Sequence, residues 1–370
     1  MTALEFSPIY GRPLRVEAPE LIGTPTRQHL ERAVEAGHGE AAGQWLDYYL
    51  FELEQIRQIF GLSDWDLVRY YLHRQGAAAW EQLVVESLAP WLATTLGVPG
   101  QLCADVRVSG SSAVLEVLAL PWPVEFVDTG LRYEVYLGSA EAQVMRWSHW
   151  RSAAAKAATA GDLAGLRASL DLLVGEARFI HDILCDWEWA LLTVMAREWG
   201  EAALGDVFRA SQESWLQERY ERMREMSIAE YLQLKSEEMR GHFSGPAHAG
   251  QFQVVDLPDR YELTFDACGT GGRMRRGDPA RGSGPRDAAP YNFIVVQQAY
   301  PWTWNRAGVC GYCAHCSLTN QIRPIEVLGR PLRMTLYPDA AGEACRWLIY
   351  KDPTAYPAEA YTSVGLPPPG

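Results

Sequence analysis

A chain of 370 residues with 48% hydrophobic and 21% charged composition can bury a sizeable core, and it exceeds the roughly 100–200 residues of an ordinary domain. A formal net charge of −13 argues against a nucleic-acid binder, whose affinity rests on neutralising phosphates with Lys and Arg. The longest apolar stretches, such as Val117–Val124, fall far short of the roughly 20 residues that span a bilayer, and Met1–Arg15 lacks a basic-then-apolar leader, so the expectation is a cytoplasmic protein with no membrane segment.

In chain order, Thr26 to Leu96 reads as several helices, with Thr26 as a cap for the first. Ser63 and Asp66 mark another helix start, and Trp65, Val68, Tyr71 and Leu72 follow at helical spacing. Gly97-Val98-Pro99-Gly100 breaks the pattern. Short runs rich in Val, Leu and Tyr then predict a small antiparallel sheet over about 102–138: Asp105–Val108, Val114–Leu120, Glu125–Val127 and Leu131–Leu137. Helices return over Asp162–Val174, Glu176–Trp199, Glu201–Met226 and Ser227–Gly241, the last opened by a Ser227/Glu230 capping box. Beyond Gly245-Pro246 the pattern predicts strands at Phe252–Val255, Tyr261–Phe265 and Phe293–Val296, and a hairpin of Arg333–Tyr337 with Cys345–Tyr350. The tail ends in Pro367-Pro368-Pro369-Gly370 and reads as a loosely held extension.

The expected fold class is therefore α+β: a largely helical part, 1–245, carrying the small sheet, then a mainly β part, 246–370. Charge divides at the same place. Residues 246–370 hold 12 Lys/Arg against 11 Asp/Glu, whereas residues 1–245 hold 21 against 35. The acidity of the first part reads as solvated helix faces.

Seven cysteines in a chain expected to be cytoplasmic do not point to a disulfide framework, so their spacing decides their role. Cys103, Cys185 and Cys345 are isolated, while Cys310, Cys313 and Cys316 form a C-x2-C-x2-C run, with Cys268 upstream before Gly269, Gly271 and Gly272. Thiolates two residues apart in a turn can converge on one ion. Cys268, Cys310, Cys313 and Cys316 are the expected metal ligands, with His315 and Cys345 as alternatives. Zinc takes four cysteines or three and a histidine. A [4Fe–4S] cluster takes four cysteines, and the run equals the first three positions of a bacterial ferredoxin spacing, although Asn320 and Gln321 stand where its continuation would. Both metals stay open, as does buried packing of reduced cysteines. Tyr300, Trp302, Trp304 and Tyr312 either wall such a site or serve as ordinary core.

Two further groups complete the reading. Arg273, Arg275 and Arg276 among glycines could bind a small anionic substrate through guanidinium and backbone N–H groups, or belong to a mobile surface loop together with Arg281 and Arg286. His181, Cys185 and Glu188 share one helix face at i, i+4, i+7, with Asp182 and Asp186 on a neighbouring one. Glu238 and His242 repeat the i, i+4 relation on a later helix, so two helices could meet around one site. His181, Asp182 and Asp186 are the candidates for proton transfer, against the plainer account of a satisfied core histidine with salt-bridged acids.

Three functions fit these features. The first is a metalloenzyme of small-molecule metabolism with a Cys-ligated zinc. The second is an interaction or regulatory protein with a structural four-cysteine zinc, in which a protein partner or a second copy would cover aromatic surface. The third is a [4Fe–4S] redox protein.

Overall fold

The computed structural model describes residues 5–7, 12–15, 17–95, 103–117, 120–278 and 282–370. The Gly97–Gly100 break and Arg281 lie outside these, as does the side chain of Cys103. Helices and small antiparallel sheets make up an α+β fold. Among the described residues no helix is long and apolar enough to cross a membrane.

The helical part is built on α1 (Thr26–Glu35), α2 (Gly39–Gln75), α3 (Ala140–Ala160), α4 (Leu163–Trp199), α5 (Leu204–Glu213), α6 (Leu216–Glu225) and α7 (Ile228–Gly241). Four strands between α2 and α3 form an antiparallel meander: β1 (Cys103–Ser109), β2 (Ser112–Val117), β3 (Val124–Asp128) and β4 (Tyr133–Leu137). Alternation of buried Val124 and Phe126 with less buried neighbours is the period-2 signal that predicts them.

Several boundaries differ from expectation. Ser63 and Asp66 start no helix, because α2 runs unbroken through them; Asp66 instead accepts hydrogen bonds from the backbone N–H and hydroxyl of Ser214. Thr26 is the first residue of α1 rather than its cap, which is Pro25. No break follows Val174, since one interior Gly costs about 1 kcal/mol and α4 buries most of its second half. Glu201–Met226 divides into α5 and α6 at Ser214-Trp215. The Ser227/Glu230 capping box is present in both directions.

After Gly245 come β5 (Gln253–Asp256), β6 (Arg260–Phe265), the short helix α8 (Gly271–Arg276), β7 (Val295–Val296), β8 (Val309–Cys310), β9 (Met334–Leu336) and β10 (Cys345–Tyr350). The sheet order is β9-β10-β6-β5, all antiparallel, and β7 pairs with β8. The expected β9/β10 hairpin is there. Short helical turns over Tyr312–Ala314 and His315–Ser317 carry two of the three cysteines of the run.

The two parts share their cores. Leu184, Trp189 and Leu192 of α4 belong to one apolar cluster with Phe293, Trp302 and Tyr312. A second cluster joins Tyr220, Leu232 and Met239 to Val254, Phe265 and Trp347. Trp189 donates its indole N–H to the Ile294 carbonyl (3.0 Å), and Ile294 N–H donates to the Thr193 hydroxyl (3.0 Å). The tail is partly docked as well: Gln321 donates to the Ala360 carbonyl, and Tyr361 and Val364 are buried, leaving the last four residues exposed.

Candidate metal and substrate cavity

Sheet register brings the cysteine-bearing segments together. Cys345 opens β10 opposite Phe265, the last residue of β6, and the chain leaving β6 reaches Cys268 three residues later. Ala267 has φ of 31°, a left-handed conformation uncommon for a residue with a side chain. Gly269 follows because nothing larger fits: a Cβ there would lie 1.5 Å from the His242 carbonyl oxygen at the end of α7. At Gly271 a Cβ would lie 2.3 Å from Cys313 Sγ. The third segment is fixed when Cys310 donates its backbone N–H to the Tyr337 hydroxyl just beyond β9 (3.1 Å).

Cys268, Cys313, Cys316 and Cys345 thereby line one cavity of about 140 Å³. An engineered apolar cavity of about 150 Å³ holds benzene, so this one has room for a compact group. Of the expected ligands, Cys310 stands apart from this wall: it is buried and exchanges a thiol hydrogen bond with Cys313. Cys345, the alternative, takes its place. Gly272 donates its backbone N–H to Cys268 Sγ (3.0 Å), and Cys313 donates its own to Cys310 Sγ (3.3 Å).

Burial pushes the Cys268 and Cys345 thiols up, and the Cys316 thiol to about 12. Cys313 goes the other way, to about 7, because Cys310 donates to its sulfur and the charges of Arg275 and His315 favour the thiolate. Among the described residues, no three His, Cys, Asp or Glu side chains stand close enough together to hold a single metal ion. The four sulfurs line the cavity without meeting at one point.

The rest of the wall is unusually cationic. Arg275 is 7% exposed, lies 5.1 Å from the Tyr337 ring centroid, and is held charged chiefly by Cys313, Tyr337, Cys310 and Cys268, against the cost of burial. Arg333, 4% exposed, donates to the Tyr231 hydroxyl (2.6 Å) and lies over Trp347. Neither makes a salt bridge to a carboxylate among the described residues. Lys235, also lining the cavity, is paired with Glu238 at 2.8 Å; burial lowers the Lys235 pKa to about 8, while Lys235 and Arg333 hold Glu238 down. Glu188 lines the cavity with its pKa raised by burial, and Asp64 behind it is raised too, by burial and by the Glu188 charge. His315 reaches the Tyr312 carbonyl (2.7 Å) and lies 3.6 Å from Cys316 Sγ. Trp304 and Tyr312 line the cavity, whereas Trp302 packs on Phe208.

The arginine segment is not a mobile loop where it is described, because Gly271–Arg276 forms α8 and buries Arg273 and Arg275. The three arginines separate in role. Arg273 pairs with Asp182, Arg275 faces the thiols, and Arg276 turns outward to Asp266 and the carbonyls of Ala341 and Glu343, away from the cavity. Of the proposed acids, Asp182 lies 3.0 Å from His181 Nδ1, while Asp186 is engaged by Arg286 at 2.9 Å. The meeting of two helices holds: His181 of α4 and His242 at the end of α7 approach to 3.3 Å. Arg333, Tyr337 and Asp64 were not among the expected site residues, since nothing in their local spacing marks them.

Comparison with known protein families, with curated proteins and with solved structures gives no match to this chain.

Proposed function

We propose that the cavity holds a thiolate-bound metal centre on Cys268, Cys313, Cys316 and Cys345, beside space for a small anionic substrate, and that the protein is a metalloenzyme of small-molecule metabolism. One observation carries the reading: cysteines from three separate segments line a single cavity together with a buried arginine, Arg275, which has no carboxylate partner among the described residues and favours the thiolate of Cys313. A buried cation is costly unless compensated, and a centre held by four thiolates brings net negative charge.

A [4Fe–4S] cluster suits the arrangement better than one zinc ion. Tetrahedral zinc with Zn–S of about 2.3 Å draws its sulfurs to within about 4 Å of one another, and no such group of three is present among the described residues. A cluster separates its thiolates by its own body, and would supply electron transfer or Lewis-acid chemistry. Arg275 then offsets charge on the Cys313 thiolate, as the N–H group of Gly272 does on Cys268. Arg333 can take a carboxylate or phosphate of the substrate through its free guanidinium edge.

Replacing Cys310 and Cys345 separately by Ser tests the ligand set. Cys345→Ser is expected to lose the metal and Cys310→Ser to keep most of it, read as metal per chain after anaerobic purification. Native protein that binds no metal and readily closes a Cys310–Cys313 disulfide would overturn the reading in favour of a redox dithiol. One zinc per chain, with unfolding on its removal, would make the centre a structural staple instead.

A further inference from the structure

Between the main cavity and a smaller second pocket runs a chain of hydrogen-bonding groups that metal binding does not use. His242 lines the main cavity, and Asp182, whose side chain is 13% exposed, lines the second pocket with Asp186, Asp278 and Arg286. His181, 2% exposed, stands between them: its Nε2 is 3.3 Å from His242 Nδ1, and its Nδ1 is 3.0 Å from Asp182 Oδ1. Phe60 packs edge-on against both imidazoles, and Phe243 against that of His181, so the rings are fixed in place.

We propose that Asp182, His181 and His242 form a proton relay that carries protons between the thiol-lined cavity and the second pocket. The spacing assigns each hydrogen. A carboxylate only accepts, so His181 carries its proton on Nδ1, donates it to Asp182, and accepts at Nε2 from His242 Nδ1–H. The opposite edge of His242, with the Nε2 lone pair, is left for the cavity. A proton released there binds His242 Nε2, the His242 Nδ1 proton passes to His181 Nε2, and the His181 Nδ1 proton passes to Asp182. Three protons move, both hydrogen bonds reverse, no charge remains on the imidazoles, and the proton leaves from a carboxyl group that borders the second pocket.

Surrounding charges favour this neutral-ring arrangement. Arg273 is paired with Asp182, so a fixed positive charge stands beside the carboxylate that ends the chain; its approach to His181 Nδ1, 3.3 Å, is longer than the 3.0 Å of Asp182. His242 is held well below the usual imidazole range by burial first, and then by the charges of His181, His315, Lys235 and Arg273. Cys185, with Sγ 3.7 Å from His181 Nε2, is pushed up by burial and stays a thiol.

The proposal rests on the reading of the main cavity as a reaction site, and its test is independent of turnover. In long-range 1H–15N spectra of the protein as purified at pH 7.5, His181 and His242 are expected to be neutral and protonated on Nδ1, with assignments from His181→Gln and His242→Gln. Asp182→Asn keeps an acceptor oxygen but cannot take a proton. In that variant the tautomers are expected to persist while exchange of the His242 Nδ1 proton with water slows tenfold or more. A His181 protonated on Nε2 in the native protein, or exchange unchanged in the variant, would overturn the relay. Should Asp182→Asn fail to fold, the native tautomers still decide. Metal analysis of the same samples separates the two ideas: absent metal with the expected tautomers and slowed exchange sinks the metal centre and leaves the relay standing, and bound metal with the wrong tautomers does the reverse.

Discussion

At the scale of single residues, the most exposed claim concerns Asp64. It is fully buried, and among the described residues neither carboxylate oxygen has a hydrogen-bond partner. Burial, followed by the neighbouring Glu188 charge, raises its pKa well above the usual carboxylate value. The sign follows from proton linkage. The folded chain keeps this proton while the unfolded chain gives it up above about pH 4, so the protonated form's contribution is full below that value and declines as pH rises. Asp64→Asn removes the decline. Its Tm should exceed that of the native protein by a few degrees at pH 8, with the gain shrinking to nothing near pH 4, as followed by calorimetry. At Gly271 the argument is steric, because a methyl group placed 2.3 Å from Cys313 Sγ must displace that sulfur or the short helix. Gly271→Ala is expected to reduce bound metal per chain at least severalfold while circular dichroism keeps its helical signal; undiminished metal would show that Cys313 is not a ligand.

Elements explain why some of the site could be read from sequence and some could not. The C-x2-C-x2-C run and the glycines after Cys268 are local signals, and of these Cys313, Cys316, Gly271 and Gly272 fall on the cavity wall while Cys310 and Gly269 do not. His181 with Cys185 and Glu188 is legible as one helix face, Asp182 with Asp186 as its neighbour, and Glu238 with His242 as a third, because helical periodicity is local too. What spacing does not hold is register between distant strands. Cys345 reaches the cavity only because β10 pairs with β6 so that it falls opposite Phe265, and Tyr337 and Arg333 arrive at the two ends of β9 by the same route. Asp64 sits mid-helix in α2, and only the packing of α2 on α4 sets it behind Glu188. Helix boundaries failed where tertiary burial outweighed local preference, as at Ser63 and Gly175. The start of α7 was legible because its cap is local: the Ser227 hydroxyl accepts from Glu230 N–H (3.2 Å) and the Glu230 carboxylate accepts from Ser227 N–H (2.9 Å). Ser227→Ala should cost about 1 kcal/mol, a drop in Tm of only about 1 °C for a chain this long and a matching fall in the urea midpoint, leaving metal content unchanged because the cap lies at the far end of α7 from His242.

For the whole molecule, shared cores tie the acidic helical part to the neutral cysteine-bearing part. Charge divides the chain near Gly245, but packing does not: Trp189 and Thr193 grip Ile294, and Phe265 and Trp347 sit in one cluster with Tyr220 and Met239. Unfolding in urea is therefore expected to be one transition, with far-ultraviolet circular dichroism and the exposure of Cys313 and Cys316 to a thiol reagent sharing a midpoint. Separated midpoints would mean that the cysteine-bearing part opens by itself. A common core also gives the cavity rigid walls from both parts, α7 and α4 on one side and the β6/β10 sheet on the other. A metal centre and a substrate need such pre-set walls.

The central claim is that the thiol-lined cavity holds a metal cluster, and the most direct measurement is iron, zinc and acid-labile sulfide per chain, with a visible spectrum, on protein purified without oxygen. The account predicts about four iron and four sulfide per chain and a broad thiolate-to-iron absorption near roughly 400 nm, all lost in Cys268→Ser. Native protein that is colourless and free of both metals, with its thiols intact, would contradict it.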